Sequence, residues 1–144
     1  MVFGKRSRAE GAASRLRGLA FFEGFSDGEL ERVAELAADV QAEAGALLID
    51  QGRVGTECYV IEVGYAGVWV GDEHVVSLGP GSMVGEMALV EHSPRRASVV
   101  AETPVRLLAF DNRSFKELLK EMPKAEERVK ALLAARLKAN SALH

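Results

Sequence analysis

The sequence predicts a mainly β fold class, an antiparallel β jelly-roll barrel with helices at its N-terminal and C-terminal ends, and three observations carry that prediction. Gly45, Gly52, Gly55, Gly64, Gly71, Gly79 and Gly81 punctuate the chain between Val40 and Phe110, as turns between short strands do. The segments they bound, Tyr59-Val60-Ile61, Gly67-Val68-Trp69-Val70, Val75-Val76, Ser98-Val99-Val100 and Arg106-Leu107-Leu108-Ala109-Phe110, are short and rich in β-branched or aromatic residues. No helical pattern separates these segments, so the crossovers that a parallel sheet needs are missing.

Residues 1–8 carry Lys5, Arg6 and Arg8 without apolar periodicity and read as a flexible basic tail, leaving a single domain over residues 9–144. Within it, helices are expected over residues 12–37, the β core over 40–110 and C-terminal helices over 112–142. Leu16, Leu19 and Ala20 have helical spacing, and Phe21, Phe22 and Phe25 follow as an aromatic knot for the core. Ser26-Asp27-Gly28-Glu29 is a capping box, with Phe25 and Leu30 placed as a hydrophobic staple. Leu30, Val33, Ala34, Leu36 and Ala37 then form an apolar stripe on one side of a helix. After Phe110, Asp111 or Asn112 caps a helix that turns Phe115, Leu118 and Leu119 inward. Pro123 separates a final helix with Val129, Leu132, Leu133 and Leu137 on one stripe, and the Met122-Pro123 junction is the expected hinge.

Composition narrows the function classes. A chain of 144 residues has the length of one domain, and 48% hydrophobic with 27% charged residues is the balance of a folded protein. Lys plus Arg number 18 against 21 Asp plus Glu, so a net charge of −3 supplies no overall field for nucleic acid or an anionic membrane, and neither partner is expected. The lone Cys58 closes no intrachain disulfide and is expected to be packed, the basic start lacks a signal-peptide core, and no apolar run approaches the roughly 18 residues of a membrane span. A soluble, cytoplasmic protein is expected. His74, His92 and His144 are scattered, so no metal set appears, and without a metal-activated water or placed general base an enzyme is not expected.

The stretch from Gly79 to Val100 interrupts two strands with different chemistry. Gly85 permits a tight turn, and Glu86-Met87-Ala88-Leu89 suits one helical turn whose free N–H groups face a single point, as anion sites use. Pro94 fixes the approach to Arg95, whose planar guanidinium matches a phosphate with two charge-assisted hydrogen bonds. Glu86 would repel that phosphate, so on the same ligand it must accept from sugar hydroxyls. The competing reading of Glu86 and Arg95 is a surface ion pair across a loop.

Gly85-Glu86-Met87-Ala88-Leu89, four intervening residues and Pro94-Arg95-Arg96-Ala97-Ser98-Val99 resemble the phosphate-binding cassette of cyclic nucleotide-binding domains, as in protein kinase A regulatory subunits and bacterial relatives. The resemblance extends through Gly45-Ala46-Leu47-Leu48-Ile49-Asp50-Gln51-Gly52, Tyr59-Val60-Ile61 and Gly64 and covers about residues 16–135. It implies that Glu86 holds the ribose 2′-hydroxyl and that Arg95 holds the phosphate. It also implies that backbone N–H groups of Ala88 and Arg96 cradle phosphate oxygens, with Met87 and Ala97 in the same cassette, Gly85 against the ribose and Val68 against the purine. Arg96 stands where relatives often have a small or hydroxyl residue that can favour guanine, which tilts the expected ligand toward cAMP over cGMP. Val84 replaces a usual aromatic, and Leu133 or Leu137 is the expected cap over the base.

The expected function is a sensor that binds cAMP, or cGMP, and repositions its terminal helices, with an unidentified protein effector and a monomer or a weak dimer through the C-terminal helix. The alternative is an interaction module that keeps the fold but no longer binds nucleotide. Two residues near the cassette get plainer readings. Arg95-Arg96-Ala97-Ser98 resembles a kinase acceptor, but Ser98 opens a strand, and Trp69 should face away from Val68 and Val70, with a terminal helix as its candidate cover.

Overall fold

The computed structural model describes residues 4–5, 11–91 and 94–142. Two antiparallel sheets form the jelly roll. In the first, β1 (Gly4–Lys5), β2 (Ala38–Ala42), β9 (Val105–Asp111), β4 (Glu57–Val63) and β7 (Met83–Val84) lie side by side in that order. The second has the order β3 (Leu47–Ile49), β8 (Ser98–Ala101), β5 (Ala66–Val70) and β6 (Glu73–Leu78). Helices α1 (Ala12–Leu16) and α2 (Asp27–Leu36), with a 3-10 turn at Ala20–Phe22 between them, precede the sheets. The short α3 (Glu86–Glu91) lies within them, and α4 (Asn112–Glu121) and α5 (Pro123–Ala142) follow. This is the architecture the sequence predicts.

One difference lies at the start. Gly4–Lys5, expected within a flexible tail, instead pair with Gln41 and Val40 of β2; the remainder of that basic segment, Arg6 and Arg8 included, lies outside the described residues. The described part of the chain holds no helix long and apolar enough to cross a membrane.

The middle strands of the first sheet explain the layering. Alternate side chains of β4 and β9 point to opposite faces, yet both strands are buried almost throughout. Cys58, Val60, Leu108 and Phe110 face the helices and join a core with Leu16, Phe22, Leu30 and Phe115. Tyr59, Ile61, Leu107 and Ala109 face the second sheet and join Ile49, Ala66, Val84 and Val99. Both faces being covered, these strands read as near-continuous apolar runs.

The caps fall where the sequence places them. Ser26 Oγ accepts from Glu29 N at 3.1 Å while Glu29 Oε1 accepts from Ser26 N at 2.8 Å, and Phe25 and Leu30 are buried together. Asp111, not Asn112, caps α4 by accepting from Ser114 N at 2.8 Å. The Met122-Pro123 junction, expected as a hinge, is packed and hydrogen-bonded on its C-terminal side. Met122, Ala125 and Val129 are buried in the helical core, Lys124 Nζ donates to Gly24 O at 2.9 Å, and Arg128 donates to the carbonyls of Phe21 and Glu23. The first two turns of α5 are thereby pinned to the α1–α2 connection.

Trp69 lies on the face of β5 away from Val68, as expected, but its cover is the edge of the His74 ring at 5.1 Å between centroids rather than a terminal helix. Ser98 opens β8, and its hydroxyl accepts from Gln51 N at 2.9 Å. Cys58 is fully buried, and burial pushes its thiol pKa well up. His92 and His144 lie outside the described residues.

Gly64 turns β4 into β5 at φ +97°, where a Cβ would lie 2.3 Å from Pro104 O and 2.8 Å from Thr103 Oγ1. Gly71 at the next turn has φ +58° and open space around it. Gly64→Ala should lower the urea midpoint by an amount equivalent to roughly 2–4 kcal/mol, whereas Gly71→Ala should cost about 1–2 kcal/mol from its backbone alone. Equal losses would show that the Pro104 contact relaxes.

Candidate functional site

A cavity of about 320 Å³ lies where β7 runs into α3, walled by residues of both sheets. Sheet residues Ile49, Val68, Val84 and Val99 form much of its wall, α3 and the segment leading into β8 form its polar end, and Arg136 of α5 closes one side. The volume lies at the lower end of the ~300–1,000 Å³ usual for small-molecule sites.

Gly85 makes the entry to α3 possible. It sits at φ +87°, and a Cβ there would be 2.6 Å from Arg95 Nη1 and 2.9 Å from Ile49 Cδ1. Arg95 exploits this close approach, donating from Nη1 to Gly85 O at 2.7 Å and from Nη2 to Glu57 O. Its main chain is fixed too: Arg95 N donates to Arg53 O at 2.8 Å and Arg95 O accepts from Gly52 N at 2.9 Å. The guanidinium is therefore held at the polar end by backbone on two sides.

Glu86 is the most deeply buried charged group of the described residues, with no solvent exposure. Its partner is Arg136, whose Nη1 donates to both carboxylate oxygens, at 2.7 Å for Oε2, while Nη2 donates to Met83 O at 2.8 Å. The pair replaces the surface ion pair between Glu86 and Arg95 that the sequence left open. Burial pushes the Glu86 pKa up, opposed mainly by the charge of Arg136, and burial pushes that of Arg95 down. Charge on either group is costly there, and the Arg136 guanidinium on Glu86 and the two carbonyls on Arg95 offset that cost.

Of the residues singled out in the sequence, Val68, Gly85, Met87, Arg95, Arg96 and Ala97 line the cavity. Arg96 is exposed, and Glu86 lies behind Arg136. Ala88 is on α3, and its side chain is not among those described. The two α5 leucines expected near the base are placed differently from each other. Leu133 packs on the helical core, Leu137 is 43% exposed, and it is Arg136 between them that enters the cavity. Arg136 follows Val129 by seven residues, Leu132 by four and Leu133 by three, so it is a cation on the apolar stripe of the last helix. That misplaced charge was the available signal. Val75 and Val76 also both line the cavity, which strict alternation forbids. Val68 pairs with Val76 but Trp69 with His74, so Val75 is a bulge residue that the ladder skips.

The chain matches the family described as "Cyclic nucleotide-binding domain" over residues 39–122. It is 30% identical over 104 residues to the cAMP-dependent protein kinase type II regulatory subunit of Drosophila melanogaster, covering 72% of this chain and 28% of that protein. Among solved structures it is similar to the regulatory subunit of a cAMP-independent protein kinase A from Trypanosoma brucei, with TM-score 0.77, 26% identity, and 87% and 45% of the two chains covered. It is also similar to the Thermus thermophilus catabolite activator protein, with TM-score 0.76, 26% identity, and 85% and 60% covered. The chain spans less than two thirds of the length of each of these three proteins.

The Glu86 environment has a pH signature. A carboxyl whose folded pKa lies above its unfolded value holds its proton more tightly when folded, so its contribution to stability falls as pH rises from 4.5 through the raised folded value. Glu29, Asp111 and Glu121 are shifted down and contribute with the opposite sign. The informative quantity is the difference between the wild type and Glu86→Gln in urea unfolding from pH 4 to 8. The wild type should lose stability relative to the variant as pH rises across that window, and parallel curves would show that Arg136 fully compensates the burial.

Proposed function

Because this chain belongs to the cyclic nucleotide-binding domain family, we propose that it is a cyclic nucleotide sensor, with cAMP as its leading ligand, which binds at the cavity beside α3 and repositions α5. The observation that supports this most directly is the division of one cavity into a cationic end, with Arg95 beside the first turn of α3, and an aliphatic end on the second sheet. An anionic cyclic phosphate and a flat base have that same division of polarity. The relative named as a cAMP-dependent regulatory subunit supports cAMP.

In this reading Arg95 turns its guanidinium toward the phosphate while its backbone ties to Gly52 and Arg53 hold its position. The first-turn amides of α3 have no partners within the helix and supply donors to the phosphate oxygens. Glu86 accepts from the ribose 2′-hydroxyl, and its bond to Arg136 fixes the carboxylate in direction and charge. No bond is made or broken, and the protein acts in the cytoplasm through an effector that reads α5. Arg136 is the link: a ligand that changes the hydrogen bonding of Glu86 changes the hold on the helix. With the first turns of α5 pinned through Lys124 and Arg128, the movement belongs to the length beyond Val129.

A second reading keeps the fold as an interaction module without nucleotide binding, and one observation favours it: a structural relative is named as a cAMP-independent kinase regulatory subunit. Calorimetry separates the two. The wild type should bind cAMP saturably, and Arg95→Ala should lose at least about 100-fold in affinity, the equivalent of a buried charge-assisted contact. Thermal melts must show that the variant is folded. No heat from folded wild type at millimolar cAMP and cGMP would establish the interaction module instead. For coupling, saturating cAMP should speed amide hydrogen exchange over residues 131–138 in the wild type, as the ribose competes with Arg136 for Glu86, and do so much less in Arg136→Gln. An equal change in both would remove Arg136 as the link.

A further inference from the structure

We infer that the site reads the ribose and cyclic phosphate but hardly the base, so that purine cyclic nucleotides with different base edges bind with similar affinity. The inference rests on the sensor reading above and concerns which ligands that site accepts.

The end of the cavity away from Arg95 is built from Val68, Val70, Val75, Val76 and Leu78 of β5 and β6, and none of these side chains carries a hydrogen-bonding atom. The bulge at Val75 is what makes this end so uniformly aliphatic, since it turns two consecutive valines of β6 inward where a regular strand would contribute one. Apart from the bulge residue Val75, the main chain does not substitute. β5 is laddered on both sides, to β6 and to β8, and the outer groups of the edge strand β6 lie in the plane of the sheet rather than toward the cavity.

Two of the cavity's three cations, Arg95 and Arg136, serve the other end. Arg95 is bonded to Gly85 O and Glu57 O, and Arg136 spends both terminal nitrogens on Glu86 and Met83 O. Arg96 is exposed, where a bond to a base competes with water and gains little.

The rim is also wet. Val70, Val75 and Val76 are 45%, 50% and 43% exposed. A base lying on these valines contacts them with its face, which every base has, while its polar edge stays near solvent and is neither rewarded nor stripped of water. Adenine and guanine differ at that edge: adenine offers an amino donor where guanine offers a carbonyl acceptor. Sites discriminate strongly on such a difference only when buried polar groups must be matched, and aliphatic slots discriminate weakly.

The test is competition calorimetry on the wild-type chain with cAMP, cGMP and cyclic inosine monophosphate, and with Val68→Ala. The three dissociation constants should fall within about tenfold of one another. Val68→Ala should weaken cAMP and cGMP by the same several-fold factor, because the contact it removes is apolar. A spread wider than tenfold with at least one tight ligand would overturn base tolerance and leave the sensor reading intact, as would a Val68→Ala effect on one ligand alone. Absence of binding by all three nucleotides would instead overturn the sensor reading, and base tolerance with it.

Discussion

A carboxylate with no exposure to water, Glu86, and the guanidinium that reaches it from α5, fifty residues later in the chain, are the contact on which the functional end of this molecule depends. An ionised carboxyl in such surroundings is costly unless it is paired and hydrogen-bonded. Arg136 meets both requirements at once and adds a bond to Met83 O, so the pair ties the last helix to the first sheet at β7 and to the start of α3. The placement of α5 and the pairing of Glu86 therefore meet in one contact.

The rest of the fold holds the two partners of that contact in place. β4 and β9, buried on both faces, hold the helical core on one side and the second sheet on the other. The helical core pins the start of α5 through Met122, Ala125 and Val129, and this sets the direction in which Arg136 points. The sheet-to-sheet core carries Ile49 and Val84 to the floor of the cavity. Gly85 joins the two systems, since its missing side chain lets Arg95 and Ile49 approach the turn into α3. Arg95 is then fixed by main-chain contacts with the 50–54 loop, a structural role that stands beside any role toward a ligand.

Much of this was legible in the chain because it is local. The capping box at Ser26, the cap at Asp111, the glycine-punctuated strands and the two terminal groups of helices all follow from neighbours in sequence. The cassette from Gly85 to Ser98 was equally plain, because the turn, the short helix and the arginine are separated by only a few residues. One local reading failed: Trp69 meets His74 rather than a helix, because a bulge in β6 pairs these two residues and no residue type marks it.

What the sequence by itself determined is the inventory: a β core between helices, a turn that only glycine makes easily at position 85, a carboxylate after that turn and a pair of arginines in a short cassette, and a cation on the apolar stripe of the last helix. What only the tertiary structure decided is pairing across distance. Glu86 had two arginines nearby in sequence, Arg95 and Arg96, and bonds to neither in preference to Arg136. The reason is geometric. Arg95 is drawn to the carbonyls of Gly85 and Glu57, while the packing of Val129 and Leu133 brings the next turn of α5 over the buried carboxylate. Hydrophobic packing of a helix, spread over many weak contacts from distant parts of the chain, thus selects the partner of a single charge, and no local pattern encodes that choice.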